Sequence, residues 1–318
     1  MDDLLSLLRL PSGRSEWVLH RPADIESSAR KLGLAVRAVD GKGFGLFALR
    51  RFARGERLLS EAPLVSWESA PPHDWSKLES HMAALDDHRR RDFCGLCDKH
   101  SASSNGCKTA HGIWNSNSFP TEDVMGDGRA AANDGIVRSA VYRLCSRINH
   151  ACRPNCFAAW CAARAEQTVH ALRDISAGEE ISVAYVGGAE AGVRDVRRKL
   201  LREKYGFECG CSACILDGAE LTASDTRQSR IHQIHGMLGP TPPPNLPLLV
   251  QEHIQLMREE GLPLIWSRAG VILSIVQLKE RGELAEAAAL AKQGAEFAAV
   301  ALGTDSSVYL RFERLATA

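Results

Sequence analysis

The sequence predicts an α+β protein in which a β-rich first half is followed by a helical tail. Residues 35–67 carry short apolar runs broken by glycine turns, a pattern typical of small strands and hairpins. Apolar and polar residues alternate again over 139–186, with turn residues between the runs. After a proline-rich break, residues 248–302 carry apolar side chains at helical spacing, in stretches separated by glycine or proline.

Length and composition indicate a globular protein. A chain of 318 residues corresponds to about two domains at roughly 150 residues each. Its 45% hydrophobic and 25% charged residues are ordinary values. No apolar run approaches the about 18 residues of a membrane span, and the first residues lack the basic segment of a signal peptide. We therefore expect a protein of the nucleus, the cytoplasm or both, without a membrane partner.

Charge argues against nucleic acid as a partner. The 39 Lys and Arg residues balance 39 Asp and Glu residues, so the formal net charge is zero. Basic runs at residues 89–91 and 194–199 raise a zinc-dependent nucleic-acid binder as one hypothesis. The zero net charge favours solvated helix faces instead.

Composition shifts along the chain predict its organisation. Residues 190–206 have the pattern of a basic amphipathic helix that ends at Gly206, where a cysteine cluster begins. We expect an N-terminal segment at 1–34 and a motif-bearing domain at 35–216, which includes an insert at about 68–115 and the cysteine segment at 205–216. A linker at 217–247 and a helical domain at 248–318 are expected to follow.

The cysteines predict a metal site. Ten cysteines without a secretory signal indicate a reducing compartment, where clustered cysteines bind metal or stay free. Cys209, Cys211 and Cys214 are close enough in sequence to share one Zn²⁺, which requires a fourth ligand. Cys152 and Cys156 are the candidates for that ligand. The alternative is a loop with three free cysteines.

A second zinc site is possible by spacing alone, and its four ligands would be Cys94, Cys97, Cys107 and His111. The interpretation that we favour places Cys94 and Cys97 on a helix as small hydrophobic residues.

Three further motifs are weak one at a time. The segment from Asn149 to Asn155 (NHACRPN) reads as a polar turn. The glycine run GKGFG at 41–45 allows a close backbone approach to a ligand, but matches neither the dinucleotide fingerprint nor the P-loop. The segment EEISVAY at 179–185 reads as a strand ending in a buried Tyr185.

Taken together and in order, these segments resemble the SET-domain family of protein-lysine methyltransferases. GKGFGLFA resembles that family's first cofactor loop, SRINHACRPN its core motif, GEEISVAY its tyrosine motif and YGFECGCSAC its post-SET zinc segment. Within the family, the chain is most similar to the SET-and-MYND proteins, which end in a helical-repeat domain. The insert is too short for a full MYND finger, and Ala151 stands where serine is usual, a change between small residues.

The resemblance implies a SET-type fold, with small β-sheets threaded around the core motif, a post-SET zinc segment and an all-α helical-repeat-like C-terminal domain. The implied cofactor is S-adenosylmethionine, held by Lys42, Gly43, Phe44, Asn117, Ser146, Asn149, His150, Tyr185 and Phe207. The implied structural zinc is held by Cys152, Cys209, Cys211 and Cys214, and Cys156 is the alternative fourth ligand. Tyr185 would orient the amine at the methyl-transfer point, and Tyr205 and Phe119 would wall the lysine channel.

The implied function is methyl transfer to a lysine of a histone or non-histone protein by a monomeric enzyme. Each motif position that can be matched holds a chemically competent residue. The alternative is a catalytically weak or inactive SET-fold scaffold that binds partner proteins through its helical C-terminal domain.

Overall fold

A computed structural model describes residues 23–70, 73–99, 108–122, 136–187, 192–238 and 241–317. These residues form small sheets in the first half of the chain and a helical C-terminal region. The predicted α+β class is thus confirmed. Among the described helices, none is both long enough and apolar enough to cross a membrane.

The first half contains helix α1 (Ala23–Lys31) and short, mainly antiparallel strands. β1 (Leu34–Val39) and β2 (Gly43–Ala48) form a hairpin, in register from Leu34 opposite Ala48 to Val39 opposite Gly43. One sheet has the order β3-β9-β8, with bounds Arg57–Glu61, Glu166–Ala171 and Cys156–Cys161. Another has the order β4-β6-β5, with bounds Val65–Ser69, Val137–Val141 and Phe119–Pro120. Buried side chains such as Leu46, Phe52, Tyr142 and Ile148 form the core that the strands enclose.

Two short parallel strands bring two of the sequence motifs side by side. β7 (Asn149–His150) pairs with β10 (Ser182–Val183), so that Asn149 lies opposite Ser182. The buried Asn155 reinforces the pairing, because its Oδ1 accepts the Ser182 backbone N–H at 2.8 Å. Its Nδ2 also donates to the Glu180 carbonyl at 2.8 Å. This pairing therefore places the core motif and the tyrosine motif next to each other.

The insert forms α2 (Trp75–Ala83), α3 (Asp87–Cys94) and α4 (Ala110–Asn117) around an apolar cluster that includes Trp67 and Trp114. Cys94 ends α3, as the hydrophobic interpretation of this region expects, but that interpretation is wrong for Cys97, which lies beyond the helix and is exposed. His111 lies on α4 with its ring stacked on Trp75 at 3.7 Å. Cys107 falls outside the described residues, so the possible second zinc site stays a prediction.

Helix α5 (Arg194–Tyr205) leads into the cysteine segment and ends where the sequence predicts. Gly206 is in the left-handed conformation with φ of 74°, and its N–H donates to the Arg202 carbonyl. Glycine adopts this conformation without the steric cost that other residues pay, which fixes the turn from the helix into residues 207–214.

The C-terminal region contains helices α6 to α10, with bounds Gly218–Gly236, Leu246–Glu259, Arg268–Glu280, Leu284–Leu302 and Ser307–Thr317. The first part of the region 217–247, which the sequence predicts as a linker, forms the helix α6. The buried face of α6 carries Ser224 and Gln228 beside Ile231 and Ile234, so its apolar periodicity is weak in the sequence. The domain boundaries themselves stay a prediction.

The helices pack directly against the sheets. Phe157 and Ala159 of β8 join the apolar cluster of the C-terminal helices, which includes Ala298 of α9. Asp305 lies between α9 and α10 and pairs with both Arg57 and Arg164 of the sheet region.

Candidate active site

Segments far apart in the sequence converge on a cavity of about 850 Å³. It is bounded by the β1–β2 turn, the residues that follow α3, the core motif, Tyr185 and the residues that follow α5. Most of the residues predicted to bind or act on a ligand line it: Lys42, Gly43, Phe44, Asn117, Ser146, Asn149, His150, Tyr185, Tyr205 and Phe207. The structure thus brings together side chains that are up to 165 positions apart, from Lys42 to Phe207.

Asn149 ties the core motif to the glycine loop. Its Nδ2 donates to Glu180 Oε1 at 2.8 Å and to the Phe44 carbonyl at 3.4 Å. A Cβ atom at position 45 would lie 2.8 Å from both Asn149 Nδ2 and Glu180 Oε1, so a larger residue at Gly45 would displace this pair of side chains. Lys42 Nζ completes the contact at 3.4 Å from Glu180 Oε2.

His150 links the cavity to the cysteine cluster. Its Nδ1 accepts the Tyr185 backbone N–H at 2.9 Å and must therefore be unprotonated. In the neutral ring the proton lies on Nε2, which is 3.3 Å from Cys152 Sγ and donates to it. The imidazole thereby holds Tyr185 at a fixed distance from the thiol.

Tyr185 lies beside two other aromatic side chains of the cavity. Its hydroxyl donates to the Ile148 carbonyl at 2.7 Å. Burial raises its pKa well above the usual range, so the hydroxyl stays protonated at neutral pH. The Tyr205 ring lies at a centroid distance of 4.9 Å, and the Phe207 ring lies edge-on at 6.4 Å and 87°.

Asn117 and Ser146 line the cavity, but their side-chain hydrogen-bond donors bind backbone carbonyls of the protein itself. Asn117 Nδ2 donates to the carbonyls of Cys97 and Ile113, each at 2.6 Å. Ser146 Oγ donates to the Asn117 carbonyl at 2.8 Å and accepts the Tyr142 N–H at 2.9 Å. Their predicted contact with a donor molecule therefore reduces to the Asn117 Oδ1 atom and backbone groups.

Phe119 lies elsewhere. It is on β5 opposite Ala140, and its ring packs edge-on against Tyr142 at 6.0 Å. It borders a separate cavity of about 250 Å³ that Trp67 and Trp114 also line. The predicted role of Phe119 as a channel wall is therefore not supported by its position, because it packs against the core beside Tyr142 and does not line the larger cavity.

The four cysteines that the resemblance implies as zinc ligands form one cluster. The sulfur atoms of Cys152, Cys209, Cys211 and Cys214 all lie within 4.8 Å of one another. The Cys152 and Cys214 sulfurs are 3.5 Å apart, too far for a disulfide and close to the about 3.8 Å of ligand pairs around tetrahedral zinc. Cys156 lies instead on β8 in the core.

The cluster has features that suit a metal held by thiolates. Hydrogen bonding from Cys152 lowers the pKa of both Cys209 and Cys211, which favours their deprotonated forms. The buried Arg197 of α5 donates to the Gly192 carbonyl at 2.6 Å, and the nearby charges of Cys152 and Cys214 raise its pKa against the effect of burial. Its positive charge would offset the net negative charge of a zinc ion bound by four thiolates.

Two buried charges support the site and were not identified in the sequence. Glu61 accepts backbone N–H groups of residues 143, 144 and 145 at 2.9–3.1 Å and so fixes the turn before Asn149. Burial raises the pKa of Glu61 despite these bonds. Arg147 lies beside the Phe44 ring at 5.9 Å and donates to the Arg143 carbonyl at 3.0 Å. Neither residue lies in a spacing pattern that predicts its partners.

Comparison with known proteins agrees with this geometry. Residues 43–186 match the model of the SET domain, a segment that includes the glycine loop, the core motif and Tyr185. The chain therefore contains a SET domain, which supports a lysine methyltransferase. The SET domain thus accounts for the sheets apart from β1 and for most of the cavity, whereas Lys42 precedes the matched region and Tyr205, Phe207 and the cysteine segment follow it.

Individual relatives extend the comparison. The histone-lysine N-methyltransferase set5 of Schizosaccharomyces pombe is 25% identical over 283 residues, which cover 87% of this chain and 81% of that protein. The protein-lysine N-trimethyltransferase SMYD5 of Danio rerio is 37% identical over 90 residues, 27% of this chain and 22% of the relative. The human histone-lysine N-methyltransferase SMYD3 is 36% identical over 74 residues, 23% of this chain and 16% of the relative. The match to each of these two relatives thus covers about a quarter of the chain.

Proposed function

We propose that the chain is an S-adenosylmethionine-dependent protein-lysine N-methyltransferase that acts on a lysine of a histone or non-histone protein. The observation that carries the proposal is the convergence of Asn149, His150, Tyr185, Tyr205 and Phe207 on one cavity. The names of the relatives point to the same class of reaction.

The residues of the cavity suit the donor. When bound, S-adenosylmethionine supplies an electrophilic methyl group on a positively charged sulfur. The faces of Tyr185, Tyr205 and Phe207 attract cations through their π-electrons, and they line the cavity together. The cavity volume of about 850 Å³ is in the range of small-molecule sites and leaves room for a lysine side chain beside the donor.

The cavity also favours the form of lysine that reacts. A lysine must lose its proton to become a nucleophile, and its ordinary pKa is about 10.4. Burial lowers the pKa of Lys99 and of Lys108, which both line the cavity. The same desolvation would act on a substrate amine placed there, and the released proton would pass to solvent.

Tyr185 acts on the amine by orientation. Because its hydroxyl stays protonated and is held by the Ile148 carbonyl, it is a fixed polar group rather than a base. Placing the amine nitrogen in line with the transferred carbon is the main contribution that such a site makes to the rate.

Zinc in the cysteine cluster would keep this arrangement intact. The ligands Cys209, Cys211 and Cys214 would pin the segment that carries Phe207 to Cys152, two residues after His150. We propose a structural role for this metal. A location in the nucleus or cytoplasm stays a prediction.

The decisive experiment is transfer of label to protein. The purified protein is incubated with methyl-labelled S-adenosylmethionine and a whole-cell extract, and labelled residues are mapped by mass spectrometry. The proposal expects methylated lysines in one or a few proteins. Donor binding without labelled protein would favour the inactive-scaffold alternative, which the names of the relatives do not favour. Absence of donor binding would overturn the proposal.

A further inference from the structure

Three lysines line the cavity, and the surroundings of their ammonium groups differ. Lys42 Nζ lies 3.4 Å from Glu180 Oε2. Lys108 Nζ donates to the carbonyls of Cys94 and Leu96 at 3.1 and 2.7 Å. Lys99 Nζ lies over the ring of Tyr205, 5.4 Å from its centroid, and has no hydrogen bond or ion pair within the part of the chain that the structure describes.

The backbone of Lys99 is held in place by a hydrogen bond, whereas its ammonium group is held less firmly. Its backbone N–H donates to Ser116 Oγ at 3.1 Å, and Ser116 Oγ donates to the Gly112 carbonyl at 2.7 Å. The side chain therefore starts from a fixed point on the cavity wall and ends against Tyr205. Tyr205 packs in turn on Tyr185, the residue proposed to orient the reacting amine.

Moving the ammonium group into the cavity breaks the weakest contacts at Lys99. Desolvation lowers the pKa of Lys99, and the charge of Asp98 only partly opposes this effect. Desolvation also lowers the pKa of Lys108, but moving that amine would break its two carbonyl hydrogen bonds. Lys42 would have to leave a carboxylate. Within the described residues, Lys99 Nζ has only a cation–π contact to give up, and such a contact is weak.

We propose that Lys99 is a methyl acceptor for the active site of its own chain. The inference rests on the proposed function, because it requires S-adenosylmethionine as co-reactant. The lone pair of the neutral Nζ forms a bond to the methyl carbon, the carbon–sulfur bond breaks, and its electron pair stays on sulfur. The products are Nε-methyl-Lys99, S-adenosylhomocysteine and one proton released to solvent. The Tyr205 ring holds this amine at the wall of the cavity that Tyr185 also lines, before any substrate arrives.

The test uses the purified protein without added substrate. It is incubated with methyl-labelled S-adenosylmethionine, and every lysine is mapped by mass spectrometry before and after incubation. We expect methylation at Lys99 and none at Lys77 or Lys199, whose side chains are 76% and 70% exposed. The fraction methylated per unit time should not change when the protein is diluted, because the reaction is intramolecular.

Matched variants separate position from exposure. Lys99→Arg should lose the label, whereas Lys108→Arg should keep it, and both retain the positive charge. Melting curves establish that each variant is folded, and the mapping of the unaltered protein stands if one of them is not. Methylation that rises with protein concentration, or that follows the exposure of Lys77 and Lys199, would overturn the inference.

The outcome is distinguishable from failure of the proposed function. If proteins of an extract are methylated and Lys99 is not, the inference is wrong and the proposed function stands. If neither Lys99 nor any extract protein is methylated, both are wrong.

Discussion

The buried carboxylate of Glu260 provides a quantitative test of how the helical region supports the site. Glu260 is 0% exposed and follows α7. It accepts hydrogen bonds from Arg153 at 3.0 Å and Arg227 at 2.6 Å, and from Ser224 and Gln228 at 2.8 and 3.1 Å. Arg153 belongs to the core motif and the other partners to α6, so one carboxylate joins the C-terminal helices to the segment next to Cys152.

We predict that Glu260→Ala lowers the free energy of unfolding by about 3 kcal/mol. Removing one partner of a buried ion pair costs about 3–5 kcal/mol. The side chains of Arg153 and Arg227 are 26% and 29% exposed, so water recovers part of their solvation and the lower end applies. At about 2–4 °C per kcal/mol, the melting temperature should fall by about 6–12 °C.

Scanning calorimetry and urea unfolding measure this effect, and the adjacent Glu259 provides the matched control. Glu259 is 45% exposed and lies 4.0 Å from Arg227. Glu259→Ala should change stability by no more than about 0.5 kcal/mol. Equal losses in the two variants would refute the reasoning, because they would mean that burial of the carboxylate contributes nothing.

The remaining predictions concern the reaction, the metal and pH. Tyr185→Phe should lower the turnover number by up to about 100-fold in a methyl-transfer assay through loss of orientation, with zinc content retained. Metal analysis should find zinc in the purified protein; Cys209→Ser should release it and lower the melting temperature, whereas Cys161→Ala, outside the cluster, should not change metal content. Burial lowers the pKa of His170 and His253 from 6.5 to about 4. Between pH 6.5 and about 4, these histidines are therefore protonated in the unfolded chain but not in the folded protein. Stability should therefore fall as pH drops from 6.5 to about 4, by up to about 1.4 kcal/mol per pH unit for each histidine; His253→Gln should remove one contribution in urea unfolding across this range.

The sequence was informative where chemistry is local and ordered along the chain. The glycine loop, the core motif, Tyr185 and the cysteine segment could be recognised together because each is a contiguous run of unusual residues. Their convergence on one cavity is a property of the fold that β7 and β10 bring about by pairing. No spacing rule connects residue 149 to residue 182.

The differences between the sequence interpretation and the structure have physical causes. Helix α6 buries Ser224 and Gln228, which serve Glu260, so its polar sequence resembled a linker. Phe119 lies on a strand of two residues whose direction depends on pairing with β6, which its neighbours in sequence do not determine. Glu61 supports the site through partners that are at least 82 positions away in the sequence, and Glu260 through partners up to 107 positions away. No local pattern predicts these contacts.

The central claim is that this cavity binds the methyl donor, and calorimetric titration of the folded protein with S-adenosylmethionine tests it most directly. The account predicts one binding site per chain, with affinity sharply reduced in Asn149→Ala, since Asn149 joins the glycine loop to the core motif. Melting curves without donor establish that the variant is folded. Absence of binding to the unaltered protein, or equal affinity in a folded Asn149→Ala variant, would contradict the account.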